Sequence, residues 1–419
     1  MTSKPTDNLA VERLNRFPVS PLAARIFAIA GDAGCEARIV GGAVRDWLMG
    51  QSIGDIDMAI AMPITAAIPV FQAAGLKVIE TGISHGTVTI IDGGEHIEVT
   101  QTRIDVETDG RHAQVVFSED WAADAVRRDL TINALYLTAD GIIDDPLNGR
   151  QDIVDGRVRF AGDAGARVQE DALRMLRFCR FVAHFASNGN QTDVVLDSDA
   201  MAALRAHAGL AQTLSGERIA AECSKICKWA NAPIGFAVMQ DTGVALAALG
   251  HPLCVDHADC LVPLHAAGIG ADPASDDWII WLAAMTAPDV APAVADRLCL
   301  SRKQRQLLLA VARDDPLFDA ISGPQWRQAA WMMARNRGNA AASYAVGAAR
   351  RRQMVDAGHY VALRDWEPPL FPVTGADLLS HGVDNGPALG QLLGAIEARW
   401  VESDFTLAKA ALLAELSAN

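Results

Sequence analysis

A chain of 419 residues exceeds one ordinary globular unit, and at about 150 residues per domain it predicts two to four. Half of its residues are apolar and 21% are charged, which excludes a disordered or low-complexity chain. The net charge of −15 excludes a generally basic coat for nucleic acid, so a polyanion has to bind at a local cluster against the overall field. In chain order, PLAARIFAIAGDAG (21–34) reads as a helix closed by glycine, and ARIVGG (37–42) and DIDMAIA (55–61) as short strands. PITAAIPVFQAAG (63–75) is a second glycine-closed helix, followed by strand patterns in HGTVTII (85–91), HIEVTQT (96–102) and TINALYLT (131–138). This alternation predicts an α/β region over the first 150 residues. Beyond about residue 163 strand patterns almost vanish, and Ala-, Leu- and Arg-rich helical periodicity runs on with Gly/Pro breaks at 232–234, 250–252, 269–273 and 323–324. WEPPLFPVTG (366–375) carries three prolines and predicts a linker before a last helical piece.

Chemistry concentrates in the α/β part. Asp55 and Asp57 stand at i and i+2 in GDIDMAI, a spacing that on a strand puts both carboxylates on one face and turns Ile56 into the core. Two such carboxylates repel unless a cation lies between them, and oxygen-only ligands select a hard ion, Mg²⁺ first. An isolated Asp-x-Asp pair is more often a solvated strand end. Upstream, however, RIVGGAVRDWLMG is a strand that ends in Gly41 and Gly42 and opens a helix, where backbone N–H groups and the helix dipole favour a phosphate. Arg45, one turn on, is placed to reach the same oxygens. A glycine turn of this kind is equally an ordinary strand–helix corner, but next to a paired-carboxylate strand it forms the arrangement that two-metal nucleotidyl transfer requires. Glu98, in HIEVT, is the candidate third carboxylate on a neighbouring strand; a wet strand face is the competing reading.

These residues, together with GGAVRD (41–46), GDID (54–57), GISHGTV (82–88), RRDLTINAL (127–135), DDPLNGRQDI (144–153), EDALRMLRFCRF (170–181) and SGERIAAECSKI (215–226), are collinear with a known family. The chain resembles the class II tRNA nucleotidyltransferases (CCA-adding enzymes) and bacterial poly(A) polymerases. The motifs cover roughly residues 37–226, with a weaker echo in PVTGADLLSHGVDNGPALGQLL (372–393). The resemblance implies a polymerase-β-like nucleotidyltransferase head of α/β (α+β) type with a mixed sheet, followed by an all-α neck, body and tail. The corresponding boundaries are 1–150 for the head, 151–226 for the neck with base recognition, and 227–365 and 366–419 for a tRNA-binding body and tail. It implies Mg²⁺ on Asp55 and Asp57, with tRNA, ATP and CTP as partners. By the same likeness Arg128 and Asp129 would bind the triphosphate and sugar, although an arginine–aspartate pair capping a helix has the same letters. His85-Gly86-Thr87 resembles the CCA-adding members more than the poly(A) polymerases, and a poly(A) polymerase or a non-catalytic tRNA-binding protein are the alternatives. TDGRHAQVVF (108–117) resembles the family's flexible loop, in which Arg111 and His112 either touch substrate or stay at the surface.

EDALRMLRFCRF predicts a single helix whose apolar positions 172, 175, 176, 179 and 182 share one face. Asp171, Arg174, Arg177 and Arg180 recur every third residue along a polar arc, as a solvated charge stripe also would. Cytosine and adenine each present an exocyclic amino donor beside a ring-nitrogen acceptor, which a carboxylate next to a guanidinium matches; uracil and guanine present the reverse. The resemblance assigns Asp171 and Arg174 this reading role, with Glu170 orienting Arg174 and with Arg177 and Arg180 facing triphosphate or RNA. In the helical half, SRKQRQ (301–306), ARNRGN (334–339) and AARRRQ (348–353) are candidate phosphate-binding surfaces or solvated helix faces. Seven cysteines without a Cys-x-x-Cys pair argue against a disulfide framework and a thiolate zinc site. No signal-peptide core and no run of about 18 apolar residues is visible, so a cytoplasmic protein with no membrane partner is expected.

Overall fold

A computed structural model describes residues 17–108, 113–187, 194–270, 272, 274–313, 316–335 and 338–414. They divide into two compact units, one running to Glu222 and taking in Ile234–Leu249, the other comprising Cys223–Pro233 and the chain from Gly250 onward.

In the first unit, Ser20 caps helix α1 (Pro21–Asp32) by accepting from Ala23 N at 3.2 Å, with Pro21 in the first turn where its missing N–H costs nothing. Leu22, Ile26 and Ala30, each four residues apart, form its buried stripe. Strand β1 (Ala37–Val40), helix α2 (Gly42–Leu48), strand β2 (Asp57–Ile60) and helix α3 (Ile64–Ala73) follow, then strands β3 (Lys77–Gly82), β4 (Thr87–Asp92) and β5 (Glu95–Gln101). A hairpin of β6 (Arg103–Thr108) and β7 (Ala113–Phe117) precedes helix α4 (Trp121–Val126) and two-residue strands β8 (Tyr136–Leu137) and β9 (Ile143–Asp144).

Seven strands make one sheet in the order β3-β4-β5-β2-β1-β8-β9, with β2 and β5 parallel and the other neighbours antiparallel. The expected mixed sheet is present. One face packs α1 and α3 residues (Ile26, Phe71) against Ile39, Met58, Ile60, Val88, Ile97 and Val99. The other gathers Val40, Ala59, Ala125, Ala134 and Tyr136. Three expectations need correction. β2 starts at Asp57, so Asp55 belongs to the preceding loop, although Ile56 does pack against the core. The first half of TINALYLT is a 3₁₀ turn, Thr131–Asn133, because Thr131 and Asn133 spend their side chains on Asp152 and Asp129 and the run is buried throughout rather than alternating. Within 108–117, residues 113–117 form a strand rather than loop; Arg111 and His112 lie outside the described residues.

The unit continues through helices α5 (Gly149–Asp155), α6 (Ala164–Glu170), α7 (Leu173–Ser187) and α8 (Ser198–His207) to α9, which spans Gly216–Cys227. Ala172, Met175, Leu176, Cys179 and Val182 are all buried, as their spacing predicts, but the expected single helix is two. Asp171 is extended (φ −145°, ψ 105°) and its Oδ1 accepts from Leu173 N at 3.0 Å, ending α6 and starting α7. Beyond residue 163 the only strand among the described residues is Val195–Leu196, which pairs in parallel with Arg157–Val158.

Every regular element among the described residues of the second unit is a helix. Trp278–Met285 is buried on every side, and Trp281 is the largest fully buried side chain among the described residues. Residues 366–374 form no regular element, as the prolines predict, and a last cluster closes around Leu378, Trp400, Val401 and Leu412. No described helix is long and apolar enough to cross a membrane.

Candidate active site

The register of the sheet brings the sequence candidates to one place. Val40 pairs with Asp57 across the antiparallel β1–β2 ladder, and Asp57 pairs with Glu98 across the parallel β2–β5 ladder. The Gly41–Gly42 turn therefore begins one residue beyond the strand partner of Asp57. Gly41 adopts φ +73°, ψ −126°, a conformation open to glycine, and an added Cβ would lie 3.9 Å from Arg128 Nη1. Asp57, with Glu98 and Asp55 nearby, is a carboxyl pushed up to about 6, first by desolvation, then by the charges of Glu98 and Asp55, with Arg128 opposing. Such a like-charge oxygen set fits a hard divalent cation. Among the described residues no three His, Cys, Asp or Glu side chains form a ready metal cage. An ion on Asp55 and Asp57 would thus complete its shell with water and polyphosphate oxygens, the manner in which Mg²⁺ binds beside nucleotides.

Behind this edge lies a hub that sequence reading missed. Asp124, wholly buried, accepts from Arg127 Nε at 2.8 Å, Arg128 Nη2 at 3.0 Å, the Tyr136 hydroxyl at 2.8 Å and Arg103 N at 3.3 Å. Burial alone would raise its carboxyl, but Arg128 and Arg127 overcome that and hold it below the usual range. Arg128 is thereby aimed along the sheet toward Gly41. Arg45 is buried; its Nη1 donates to Asn133 Oδ1 at 2.5 Å and its Nε to Asp46 at 2.8 Å, while its guanidinium stacks on Phe181 at 4.8 Å. Asn133 in turn donates to Asp129 Oδ1 at 3.0 Å. Asp129 also accepts from Leu130 N at 2.8 Å and from Arg177 Nε at 2.7 Å, and Arg177 Nη2 completes the pair. Desolvation would raise the Asp129 carboxyl, yet Arg177 and Asn133 bring it down to about 2.

At the α6–α7 junction Glu170 holds both Arg174, at 2.7 Å, and Arg167. Arg174 also donates to the carbonyls of Arg167 at 3.1 Å and Arg127 at 2.9 Å, which ties EDALR to RRDL. Asp171 faces Arg218 of α9, whose Nη2 lies 3.2 Å from Oδ1 and 3.1 Å from Oδ2. Arg180 pairs with Glu222 at 3.1 Å. The polar arc is thus an ion-paired surface rather than a solvated stripe. Asp124, Asn133 and Arg218 were not singled out from sequence; their signal was their place inside RRDLTINAL and SGERIAAE and just upstream.

In the second unit, the basic groups are largely neutralised locally. Lys303 pairs with Asp276 at 2.6 Å, Arg352 with Asp256 at 3.1 Å, Arg305 with Asp296 and Arg335 with Glu397. Arg350 Nη2 donates to the carbonyls of Ala283 at 2.9 Å and Thr286 at 2.6 Å.

Known proteins resemble this chain over most of its length. The family model described as the poly A polymerase head domain matches residues 37–159. The chain is 32% identical over 401 residues to the mitochondrial CCA tRNA nucleotidyltransferase 1 of Danio rerio, covering 91% of this chain and 87% of that protein. It is 31% identical over 400 residues to the CCA-adding enzyme of Levilactobacillus brevis, covering 92% and 94%. Its fold is similar to the Bacillus stearothermophilus CCA-adding enzyme in complex with CTP, with a TM-score of 0.70, 26% identity, and 96% and 97% of the two chains covered.

Proposed function

This chain belongs to the CCA tRNA nucleotidyltransferase family, and we infer that it adds or repairs the 3′-terminal CCA of tRNA from CTP and ATP without a template. The observation that carries this is the ladder Val40–Asp57–Glu98, which sets the glycine turn and the acidic side chains at one end of three adjacent strands. In the reaction the terminal 3′-hydroxyl loses its proton and its oxygen bonds to the α-phosphorus, while the bond to the β-phosphate oxygen breaks and pyrophosphate leaves. Asp55 and Asp57, with Glu98 as third carboxylate, would hold Mg²⁺, which when bound supplies charge neutralisation at the phosphates and acidifies the attacking hydroxyl.

The chain's own residues then position the substrates. The backbone at Gly41 and Gly42 comes close to the triphosphate, with Arg45 and Arg128 flanking it. All four lone-pair sites of Asp129 are taken by Leu130, Asn133 and Arg177, so contact with a ribose hydroxyl requires Arg177 to release one. Asp171 accepts from the amino group of cytosine or adenine and Arg174, steadied by Glu170, donates to the adjacent ring nitrogen, while Arg177 and Arg180 extend the basic arc. No side-chain nucleophile is needed, because positioning and charge supply most of the rate. We assign the head to 1–150, the neck to 151–226, and tRNA binding to a body at 227–365 and a tail at 366–419. A reducing compartment, the cytoplasm, suits a chain whose seven cysteines stand outside any disulfide.

The test is incorporation of labelled CTP and ATP on tRNAs ending before CCA, at C and at CC. Two cytidines followed by one adenosine are expected. Adenosine addition with no cytidine addition would move the assignment to a poly(A) polymerase.

A further inference from the structure

We propose that Tyr136 is a positioning residue for the triphosphate, acting through Arg128: its hydroxyl stops the Arg128 guanidinium from swinging and keeps Nη1 turned to the Gly41 corner. This rests on the reading of Arg128 as a triphosphate contact.

Asp124 by itself does not set that direction. A carboxylate orients an arginine when its two oxygens meet two N–H groups side by side. Here Oδ1 is taken by Arg127 Nε at 2.8 Å and by Arg103 N at 3.3 Å. Arg128 is therefore met by Oδ2 alone, which accepts from Nη2 at 3.0 Å and from Nε at 3.2 Å. A single oxygen is a pivot. The second fixed point is the Tyr136 hydroxyl, which accepts from Arg128 Nε at 3.0 Å and gives its own hydrogen to Asp124 Oδ2 at 2.8 Å. With Nε and Nη2 both engaged, Nη1 is the end of the fork left to reach outward. Among the described residues no acceptor meets it, and it lies 3.9 Å from where a Cβ on Gly41 would stand.

The tyrosine is itself fixed. Its ring meets Trp121 edge-on at 5.3 Å, and the Arg38 guanidinium lies over Trp121 at 4.0 Å. On the sheet Tyr136 pairs with Val40, which extends the row through Asp57 and Glu98 by one strand, and Gly41 N donates to Leu135 O at 3.1 Å. Adjacent residues, Leu135 and Tyr136, thus hold the glycine corner by its backbone and Arg128 by its side chain. Tyr136 is fully buried, so its effect on the reaction runs through Arg128 and not through contact with substrate.

The experiment uses the full chain with tRNA lacking CCA for CTP and tRNA ending in CC for ATP. It measures kcat and KM for each nucleotide in the wild type, Tyr136→Phe, Arg128→Ala and the double variant. Tyr136→Phe keeps the ring and removes only the hydroxyl, so KM for CTP and for ATP should rise by the same factor, about fivefold. In that variant kcat should stay within about twofold, and CTP should be chosen over UTP as in the wild type. In the Arg128→Ala background the same substitution should change KM by less than about 1.5-fold, because the hydroxyl has lost the group it orients. An unchanged KM in Tyr136→Phe, a rise for one nucleotide only, an undiminished rise in the Arg128→Ala background, or loss of the folded circular dichroism signal each overturns the proposal. If Arg128→Ala leaves KM for both nucleotides as in the wild type, the triphosphate reading of Arg128 has failed, and this proposal with it.

Discussion

Two regions of the first unit use the same side chains in opposite ways. At the end of the sheet, Asp55, Asp57 and Glu98 approach one another, and the Asp57 carboxyl is pushed up to about 6 by desolvation and by its two acidic neighbours. At the junction of α6, α7 and α9, acids and arginines come in pairs: Glu170 with Arg174, Asp171 with Arg218, Glu222 with Arg180. An unbalanced cluster recruits a counter-ion and stabilises charge wherever that ion sits. A balanced one has its donors and acceptors already aimed, and directional hydrogen bonds discriminate between partners. Catalysis and base choice are thereby assigned to different electrostatic regimes within one unit.

That division has consequences for single substitutions. Asp57→Asn keeps the shape of β2 and removes the charge that would hold the cation, so single-turnover incorporation of CTP should fall about a thousandfold or more, with tRNA affinity nearly unchanged. A loss of folding instead, seen by circular dichroism, would show that Asp57 belongs to the structure and not to the unbalanced cluster. Asp124→Ala acts on a paired acid behind the sheet edge, shared by Arg127 and Arg128. It leaves Arg127, Arg128 and the Tyr136 hydroxyl without their shared acceptor in a buried site. A loss of about 3 kcal/mol in urea unfolding is expected, together with weaker triphosphate binding as Arg128 loses its aim. A loss below about 1 kcal/mol would mean that the arginines find other partners.

What the sequence disclosed follows the same line. GGAVR, DID and HIEVT were readable because each is local: a glycine pair after a strand, a period of two, a carboxylate among β-formers. Asp55 and Asp57 were read as neighbours, and the charge of Asp55 does act on Asp57 even though only Asp57 is in the strand. EDALR was read as one helix because periodicity reports which face is apolar and is blind to a two-residue break at Asp171–Ala172; Val168 and Met175 are buried on either side of it, so the apolar pattern runs through. The partners of the arginines were hidden for a different reason. Arg45 meets Asn133, 88 residues away, and Arg177 meets Asp129, 48 residues away, and no pattern within a short window records such pairings. TINALYLT was misread over its first half because buried polar side chains, Thr131 held by Asp152 and Asn133 by Asp129, imitate an alternating strand.

Two smaller effects test the paired region further. Asp171→Ala removes the acceptor while Arg174 keeps its hold on Glu170, so discrimination of CTP against UTP should drop about a hundredfold, with triphosphate affinity changed much less. Fidelity that stays as in the wild type would remove Asp171 from base choice.

The last effect concerns the tie between Asp129 and Arg177, which joins the RRDL segment to α7. Burial would raise the Asp129 carboxyl above its ordinary value of 3.8, but Arg177 and Asn133 bring it down to about 2. A folded value below the unfolded one means that the stabilisation is fully present above about pH 4 and fades as pH falls through about 2. Because the pair is partly open to solvent on the Arg177 side, its contribution is on the order of 1–2 kcal/mol. Urea midpoints of the wild type and Asp129→Asn should therefore differ most near neutral pH and converge between about pH 4 and about pH 2. A gap that stays constant across that window would assign the effect of the substitution to packing. The arginine would then hold α7 against the RRDL segment by shape, and the contrast between paired and unpaired charge would have to rest on Glu170, Asp171 and Glu222.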